Sequence, residues 1–256
     1  MSEKEEPLHG GLEDARVFRV GDTVRRPAGA WTPTVQTLLA HLQRKGFPAP
    51  RPLGLDDKGR EIVSWIPGRA GLWPWPPALL AKDGARDVGA LLRRYHHAAA
   101  DFVPPSPAIW RHGAQEVAPG EIVLHGDFAP YNLIWEGDRL AGVIDFELAR
   151  PGRPIEDAVF SATRVAHLRP DGFAAQLGFA VEPDRRARLG AFAQGYGCTT
   201  DALLAHAIEC KRGEFERIVG LGKAGVEPWT GFLERGLEAH VLADLAWLKD
   251  NAGSLA

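Results

Sequence analysis

One stretch, V-L-H-G-D-F-A-P-Y-N at residues 123–132, restricts the fold of this chain more than any other. It begins as the end of an apolar strand and continues as a tight polar loop. Residues 140–147 then form a second apolar run that ends in carboxylates, and Glu-Gly-Asp at 136–138 predicts a hairpin turn between the two. Because a hairpin brings its outer ends together, Asn132 and Asp145 are expected to lie side by side.

These side chains have the chemistry of a cation site. Asp127 lies on the same loop as Asn132, so two carboxylates and one amide oxygen are expected at one strand edge. Oxygen ligands of this kind suit Mg²⁺, with positions left for phosphate oxygens and water. The simpler interpretation is an ordinary polar turn beside a hairpin, and a lone His-Gly-Asp would favour it.

The whole constellation resembles a known family. H-G-D-x-x-x-x-N at 125–132, followed by I-D-F-E at 144–147, is similar to the catalytic loop and metal-binding aspartate of the aminoglycoside phosphotransferase and choline kinase family, relatives of the protein kinases. The resemblance implies an α+β, bilobal protein-kinase-like fold, with a small antiparallel β-sheet N-lobe and a larger, mainly helical C-lobe.

The resemblance also implies a role for each motif residue. Asp127 would orient and deprotonate an acceptor hydroxyl, and His125 would brace the loop. Asn132 and Asp145 would hold Mg²⁺ on ATP, or on GTP in its place. Two further carboxylates are expected to support these residues without binding the metal, namely Glu147 and Asp157. For Asp157, which fits the family's Gly-x-Pro-x-x-Asp run, a plain helix-terminal acid is the alternative.

The order of apolar runs and breaks predicts the domains. A loose tail is expected at residues 1–9, a nucleotide-binding lobe at 10–66, and a catalytic and acceptor-binding lobe at 67–256. The last lobe contains Ala-rich stretches with helical patterns. The Ala-rich stretches that follow residue 147 predict helices over 156–167, 184–196, 201–221 and 228–250.

The N-terminal lobe offers candidate groups for nucleotide phosphates. Gly10 and Gly11 would let the backbone approach the phosphates, although a plain flexible linker fits them as well. No lysine lies between Lys4 and Lys45, so the phosphate-holding cation is expected to be Arg26 or Arg25. Side chains alternate along a strand, so only one can point into the cleft. Arg26 is preferred; two arginines on a solvated hairpin are the alternative.

A helix starting at Thr32-Pro33 matches the one that brings a glutamate to the phosphate-binding lysine in protein kinases. Here no Asp or Glu occurs from Ala28 to Leu55, and Gln36 is the nearest polar substitute. The arginine is therefore expected to have no carboxylate partner. Further along, at the hinge between lobes, backbone groups of Ser64, Trp65 and Ile66 are expected to bind the adenine edge.

The net charge and composition of the sequence limit the classes of binding partner that we expect. The formal net charge of −3 gives no electrostatic reason to expect nucleic acid or an anionic membrane as a partner. The sequence shows no apolar run of membrane-spanning length and no signal-peptide core, and its two cysteines lack a metal-type spacing. The expectation is a cytoplasmic protein, monomeric or homodimeric, that acts on a small-molecule hydroxyl.

Two functions remain open. Little chain separates Asp145 from the next helix, which leaves no room for a protein kinase's activation segment, so a small-molecule kinase acting on an antibiotic or metabolite is preferred. A polycationic aminoglycoside would want an acidic helical lobe, but residues 146–256 carry 15 acidic against 13 basic side chains. The alternative is a catalytically weak or inactive binding or immunity protein, favoured by the missing helix carboxylate and the lysine-to-arginine change.

Overall fold

A five-stranded antiparallel sheet forms the N-terminal part of the protein. The computed structural model describes residues 4–8 and 16–255. The strands follow the order β1-β2-β3-β5-β4 across the sheet. They are β1 (Glu6–Pro7), β2 (Phe18–Val20), β3 (Thr23–Arg26), β4 (Pro52–Leu55) and β5 (Glu61–Ser64). Gly10 and Gly11 fall between β1 and β2, outside the described residues.

A tight turn that contains a glycine joins β2 and β3. β2 and β3 pair as Val20 opposite Thr23, and Gly21 in the turn has a φ of 57°. Glycine adopts this left-handed conformation at little steric cost, which explains the sharp reversal. The same sheet brings β3 beside β5, with Arg26 directly opposite Glu61.

Helix α1 (Thr32–Arg44) packs through one apolar stripe. Its inward side chains recur at helical spacing and are buried, namely Val35, Leu38, Leu39 and Leu42. The predicted start is confirmed, since α1 begins at Thr32 with Pro33 in its first turn, where the missing proline N–H costs nothing. Gly46, with a φ of 66°, follows the end of the helix.

Further short strands follow along the chain. They are β6 (Arg69–Ala70), β7 (Ile109–Trp110), β8 (Gly113–Ala114), β9 (Ile122–Leu124), β10 (Leu133–Glu136), β11 (Arg139–Val143) and β12 (Arg150–Gly152). β10 and β11 form the predicted hairpin, with Leu133 opposite Val143, and β6 extends it on the other side. β9, which leads into the loop, pairs with β12.

The remaining elements are helices. They are α2 (Pro77–Leu80), α3 (Lys82–Ala99), α4 (Pro154–Val165), α5 (Ala174–Leu177), α6 (Arg185–Tyr196), α7 (Thr200–Lys223), α8 (Trp229–Glu234) and α9 (Leu237–Leu255). The predicted single helix over 228–250 is wrong. It is broken at Gly236, whose φ of 75° lies outside the helical region.

Two compact units divide the chain. The first comprises Met1–Leu72, Arg94–Asp127 and Tyr131–Arg153; the second comprises Trp73–Arg93, Phe128–Pro130 and Pro154–Ala256. All five strands of the N-terminal sheet and the β10–β11 hairpin belong to the first unit. The expected lobe boundaries at 10–66 and 67–256 remain a prediction.

Close backbone contact between helices shapes the second unit. A Cβ at Gly89 of α3 would lie 2.3 Å from the carbonyl oxygen of Phe192, and one at Gly195 of α6 would lie 2.0 Å from that of Arg86. Both distances are far below van der Waals contact, so glycine is required where α3 and α6 meet. Over the described part of the chain, no helix is long and apolar enough to cross a membrane.

Candidate active site

Gly126 sets the shape of the loop that carries Asp127. Its φ is 79°, and a Cβ there would lie 2.1 Å from the carbonyl oxygen of Leu148. Neither the dihedral angle nor the contact tolerates a side chain. The glycine of His-Gly-Asp is thus required by the close approach of the loop to the segment after Asp145.

His125 ties the loop to the end of β11. Its ring is fully buried, and the N–H of Asp127 donates to Nδ1 (3.2 Å). Since Nδ1 accepts a hydrogen bond, the proton of the neutral ring lies on Nε2, which donates to the carbonyl of Ile144 (3.0 Å). One side chain therefore joins the backbone of Asp127 to the residue before Asp145.

The carboxylate of Asp127 is held at both oxygens. The hydroxyl of Tyr131 donates to Oδ1 (2.6 Å), and Nδ2 of Asn132 donates to Oδ2 (2.9 Å) and to the carbonyl of Asp127 (3.0 Å). Tyr131 is a residue that sequence reasoning missed; its place in the loop just before Asn132 was the available signal. Both side chains that donate to the Asp127 carboxylate in these bonds are neutral.

Asn132 and Asp145 stand at the open end of the hairpin, as predicted. The N–H of Ile144 donates to the carbonyl of Asn132 (2.9 Å), and Asp145 follows directly. Asp145 has a left-handed backbone (φ 67°, ψ 65°), which an aspartate tolerates better than most residues, and its side chain is 41% exposed. The conformation carries the chain from β11 into the short 3₁₀ helix Phe146–Leu148.

The side chains present are compatible with Mg²⁺. Asn132 uses Nδ2 to bond Asp127, which leaves Oδ1 as its second polar atom, and Asp145 supplies a partly exposed carboxylate. Magnesium commonly takes one or two such protein oxygens and completes its shell with phosphate and water. Among residues 4–8 and 16–255, no group of three or more His, Cys, Asp or Glu could hold a metal by itself.

Arg26 lies against this site. Its Nε donates to Glu61 Oε2 (2.5 Å), and its Nη1 donates to Asp145 Oδ1 (3.1 Å). Burial lowers the pKa of Arg26, but the charges of Glu61 and Asp145 outweigh this effect and raise the pKa above its ordinary value. The guanidinium is therefore charged at neutral pH.

Arg25 points to the other face of β3. Its Nη1 donates to the hydroxyl of Thr23 (2.5 Å), and its Nε lies 3.8 Å from Oδ2 of Asp56. Alternation along the strand accounts for the difference. The structure thus brings Arg26, and not Arg25, to the carboxylate of Asp145.

The expectation that Arg26 has no carboxylate partner is wrong. The partner is Glu61, which comes from the neighbouring strand β5 rather than from helix α1. Gln36 of α1 touches the same carboxylate, donating from Nε2 to Glu61 Oε1 (3.3 Å). Aligning β3 against β5 in antiparallel register would have revealed the pair.

Glu147, one of the two carboxylates expected to support the site, is paired with an arginine. Arg111 Nη1 donates to Glu147 Oε1 (2.6 Å), and the Arg111 guanidinium lies 4.6 Å from the ring centroid of Trp31. Glu147 is therefore anchored two residues after Asp145. Asp157 is buried near the start of α4, in the second unit, and its expected bonds to loop amides remain a prediction.

Two of the residues expected to bind adenine have backbone N–H groups that already donate hydrogen bonds within the first unit. The N–H of Ser64 donates to the carbonyl of Arg51 (3.0 Å), and the N–H of Trp65 donates to that of Asp22 (2.8 Å). An adenine contact at Ser64 and Trp65 would thus rely on their carbonyls, while Ile66 remains a candidate for either group. This contact, too, remains a prediction.

Known protein sequences match this chain over the segments that contain these motifs. A sequence model described as the phosphotransferase enzyme family (APH) matches residues 4–116 and 106–192. A trifolitoxin immunity protein from Rhizobium leguminosarum bv. trifolii is 32% identical over 187 residues, which cover 71% of this chain and 70% of that protein. A homoserine kinase from Rhodopseudomonas palustris (strain BisB5) is 28% identical over 163 residues, 48% of each chain, so the chain spans about half the length of that relative.

Solved structures show the same fold. An amicoumacin kinase in complex with AMP-PNP and Ca²⁺ superposes with a TM-score of 0.60 at 13% identity, covering 96% of this chain and 87% of that one. A choline/ethanolamine kinase family protein from Mesorhizobium loti gives a TM-score of 0.59 at 14% identity, covering 96% and 92%. The predicted protein-kinase-like α+β fold is confirmed.

Proposed function

The chain belongs to the phosphotransferase enzyme family, and we propose that it transfers the γ-phosphate of ATP to a hydroxyl group of a small molecule. The observation that carries this proposal is the meeting of Asp127, Asn132, Asp145 and Arg26 within one compact unit. These residues supply a carboxylate base, two oxygen ligands for a metal ion and a permanently charged arginine, which are the groups that phosphoryl transfer requires.

Asp127 is the proposed base. Its hydrogen bonds from Tyr131 and Asn132 fix the carboxylate before any substrate binds, which favours a productive orientation of the acceptor hydroxyl. As the hydroxyl oxygen attacks the γ-phosphorus, the bond from that phosphorus to the bridging oxygen breaks and ADP leaves, while Asp127 accepts the proton of the hydroxyl. His125 contributes by holding the backbone of Asp127 to the end of β11.

The nucleotide would be held by residues on both sides of the site. Asn132 Oδ1 and the Asp145 carboxylate are the proposed Mg²⁺ ligands, and the ion, when bound, neutralises charge on the phosphate oxygens. Arg26 would donate to the phosphates, and a guanidinium suits this task because its donors match paired phosphate oxygens. Gly10 and Gly11 near the phosphates and residues 64–66 at the base remain part of the proposal, with ATP or GTP as donor.

A small acceptor is supported by the segment after Asp145. It contains only the 3₁₀ helix Phe146–Leu148 and strand β12 before α4 begins at Pro154. A protein kinase needs a longer segment there to dock its substrate. The names of the similar proteins, homoserine kinase and amicoumacin kinase, agree with a small hydroxylated metabolite or antibiotic as the acceptor. A cytoplasmic site of action is part of the same proposal.

The second candidate is a binding or immunity protein with little or no catalysis. The observation that favours it is the similarity to a trifolitoxin immunity protein. The argument from a missing carboxylate no longer supports it, because Glu61 is bonded to Arg26. Resistance and catalysis are also compatible, since a toxin that carries a hydroxyl could itself be the phosphate acceptor.

Nucleotide binding and turnover separate the two candidates. We expect titration calorimetry to show ATP binding that requires Mg²⁺ and disappears with excess EDTA. A panel of hydroxylated metabolites and antibiotics should then contain a compound that increases ADP release, with Asp127→Asn as the matched control that binds ATP but does not respond. ATP binding without acceptor-dependent ADP release across the panel would favour the binding protein.

A further inference from the structure

We propose that Glu61 is the positioning residue for Arg26, and that this pair is assembled independently of helix α1. The inference deepens the proposed function and rests on it, because the purpose of the pair is to present Arg26 to nucleotide phosphates. In protein kinases the corresponding carboxylate comes from the helix, whose movement makes or breaks the ion pair. Here the carboxylate comes from strand β5.

The register of the sheet fixes the pair. Arg26 and Glu61 are directly opposite each other on the antiparallel strands β3 and β5. Side chains of such cross-strand partners lie on the same face at close range, so the charges meet without any loop or helix having to bring them together. The Nε–Oε2 distance of 2.5 Å and the 2% exposure of Glu61 show a desolvated, charge-assisted hydrogen bond.

The bond also determines which way the guanidinium points. Glu61 accepts from Nε, the nitrogen nearest the strand, while the outer nitrogen Nη1 reaches Asp145. A carboxylate on Nε restrains rotation of the planar group and leaves the outer donors directed at the proposed metal ligand. Phosphate oxygens bound to that metal would meet donors that are already oriented.

Helix α1 holds the carboxylate but does not supply it. Gln36 donates to Glu61 Oε1 (3.3 Å) and is itself bonded to both the N–H (3.2 Å) and the carbonyl (3.0 Å) of Gly54 in β4. A neutral amide adds less to the fixing of Arg26 than the buried charge of Glu61 does. The pair is therefore expected to persist when α1 shifts, which makes the phosphate-holding group permanently assembled rather than switched.

The test compares affinity for Mg·ATP with affinity for adenosine, which lacks phosphates. Glu61→Gln keeps the size of the side chain and removes its charge, and we expect about a tenfold loss of Mg·ATP affinity, equivalent to about 1.4 kcal/mol, with adenosine binding unchanged. In an Arg26→Ala background the same substitution should have no further effect on ATP, since Glu61 acts through Arg26.

Two other variants serve as controls. Glu5→Gln removes the carboxylate that is paired with Arg60, a different arginine of this part of the chain. The affinities for Mg·ATP and for adenosine should both be unchanged. Gln36→Ala should reduce Mg·ATP affinity less than Glu61→Gln does. Should Glu61→Gln fold poorly, Glu61→Asp keeps the charge but shortens its reach, and it should show the same selective loss.

The outcomes distinguish the inference from the proposed function. If the parent binds Mg·ATP and Glu61→Gln binds it equally well, the positioning role is refuted while the kinase proposal stands. A larger loss in Gln36→Ala than in Glu61→Gln also overturns the inference, because the helix would then be the positioning element. If the parent binds no Mg·ATP, the proposed function fails and the inference falls with it.

Discussion

Removing Arg26 should destabilise the protein far more than removing its neighbour Arg25. The prediction compares Arg26→Ala with Arg25→Ala, which delete the same side chain at adjacent positions of β3. Arg26 is bonded to Glu61, whose side chain is almost entirely buried, and to the more exposed Asp145. Arg25 lies 3.8 Å from Asp56.

The magnitude follows from what each deletion leaves behind. Without Arg26, Glu61 keeps a buried charge beside the neutral amide of Gln36, and breaking a buried pair in this way costs about 3–5 kcal/mol. Without Arg25, Asp56 keeps its bond to Arg60 at 2.8 Å, so the loss should be about 0–1 kcal/mol. The difference of about 3 kcal/mol is large compared with the error of the measurement.

Urea unfolding followed by circular dichroism measures both free energies. The double variant Arg26→Met, Glu61→Leu is the control, because it removes the buried charge together with its partner and should recover most of the stability lost in Arg26→Ala. Equal losses in the two single variants would refute the assigned strand register. Failure of the double variant to recover stability would show that the cost is one of packing and not of charge.

The remaining predictions concern the chemistry of the loop and one buried histidine. Asp127→Asn keeps the shape of the base but not its charge, so turnover with any acceptor should fall by about 10²–10⁴-fold at nearly unchanged ATP affinity; full activity would contradict the role. Asp145→Ala should abolish Mg²⁺-dependent ATP binding in calorimetry while the circular dichroism spectrum is unchanged, and retained binding would exclude the metal assignment. Tyr131→Phe removes the hydroxyl donor to Oδ1 of Asp127, and kcat should fall about tenfold, the equivalent of one hydrogen bond to a charged group; an unchanged kcat would contradict a role for this bond in orienting the base. Burial, aided by Arg185 and Arg169, lowers the pKa of His167 from 6.5 to about 4, so the unfolded chain takes up the proton first and stability should fall by about 3 kcal/mol as pH drops from about 6.5 to about 4. His167→Asn, which tolerates the local φ of 59°, should lose this pH dependence in urea titrations, whereas an unaltered profile would contradict it.

Local patterns in the sequence accounted for most of the individual elements. Two apolar runs, residues 133–135 and 140–144, flank Glu-Gly-Asp at 136–138 and predicted the β10–β11 hairpin, and the apolar stripe of α1 predicted a buried helix face. Both depend on interactions between residues that are close in sequence, so the pattern is visible in one short window. Helix α9 shows the limit, because a periodic pattern did not reveal the break at Gly236.

The motif residues were also found from sequence, since their spacing is set by one loop and one hairpin. His125, Asp127, Asn132 and Asp145 lie within a single short stretch, and their order along the chain is enough to place them near one another. Tyr131 was within the same stretch but was missed, because whether its hydroxyl reaches Asp127 depends on the loop's dihedral angles.

Tertiary structure alone decided the partner of Arg26. The kinase resemblance points to helix α1 as the source of a carboxylate, whereas the actual partner, Glu61, is far along the chain and meets Arg26 because β3 and β5 pair in one particular register. A shift of that register by one residue would turn Glu61 to the other face of the sheet. Sequence therefore determines which chemical groups are available and how nearby ones are arranged. The packing of distant strands determines which charges become partners, because that choice depends on the burial and pairing of the whole sheet.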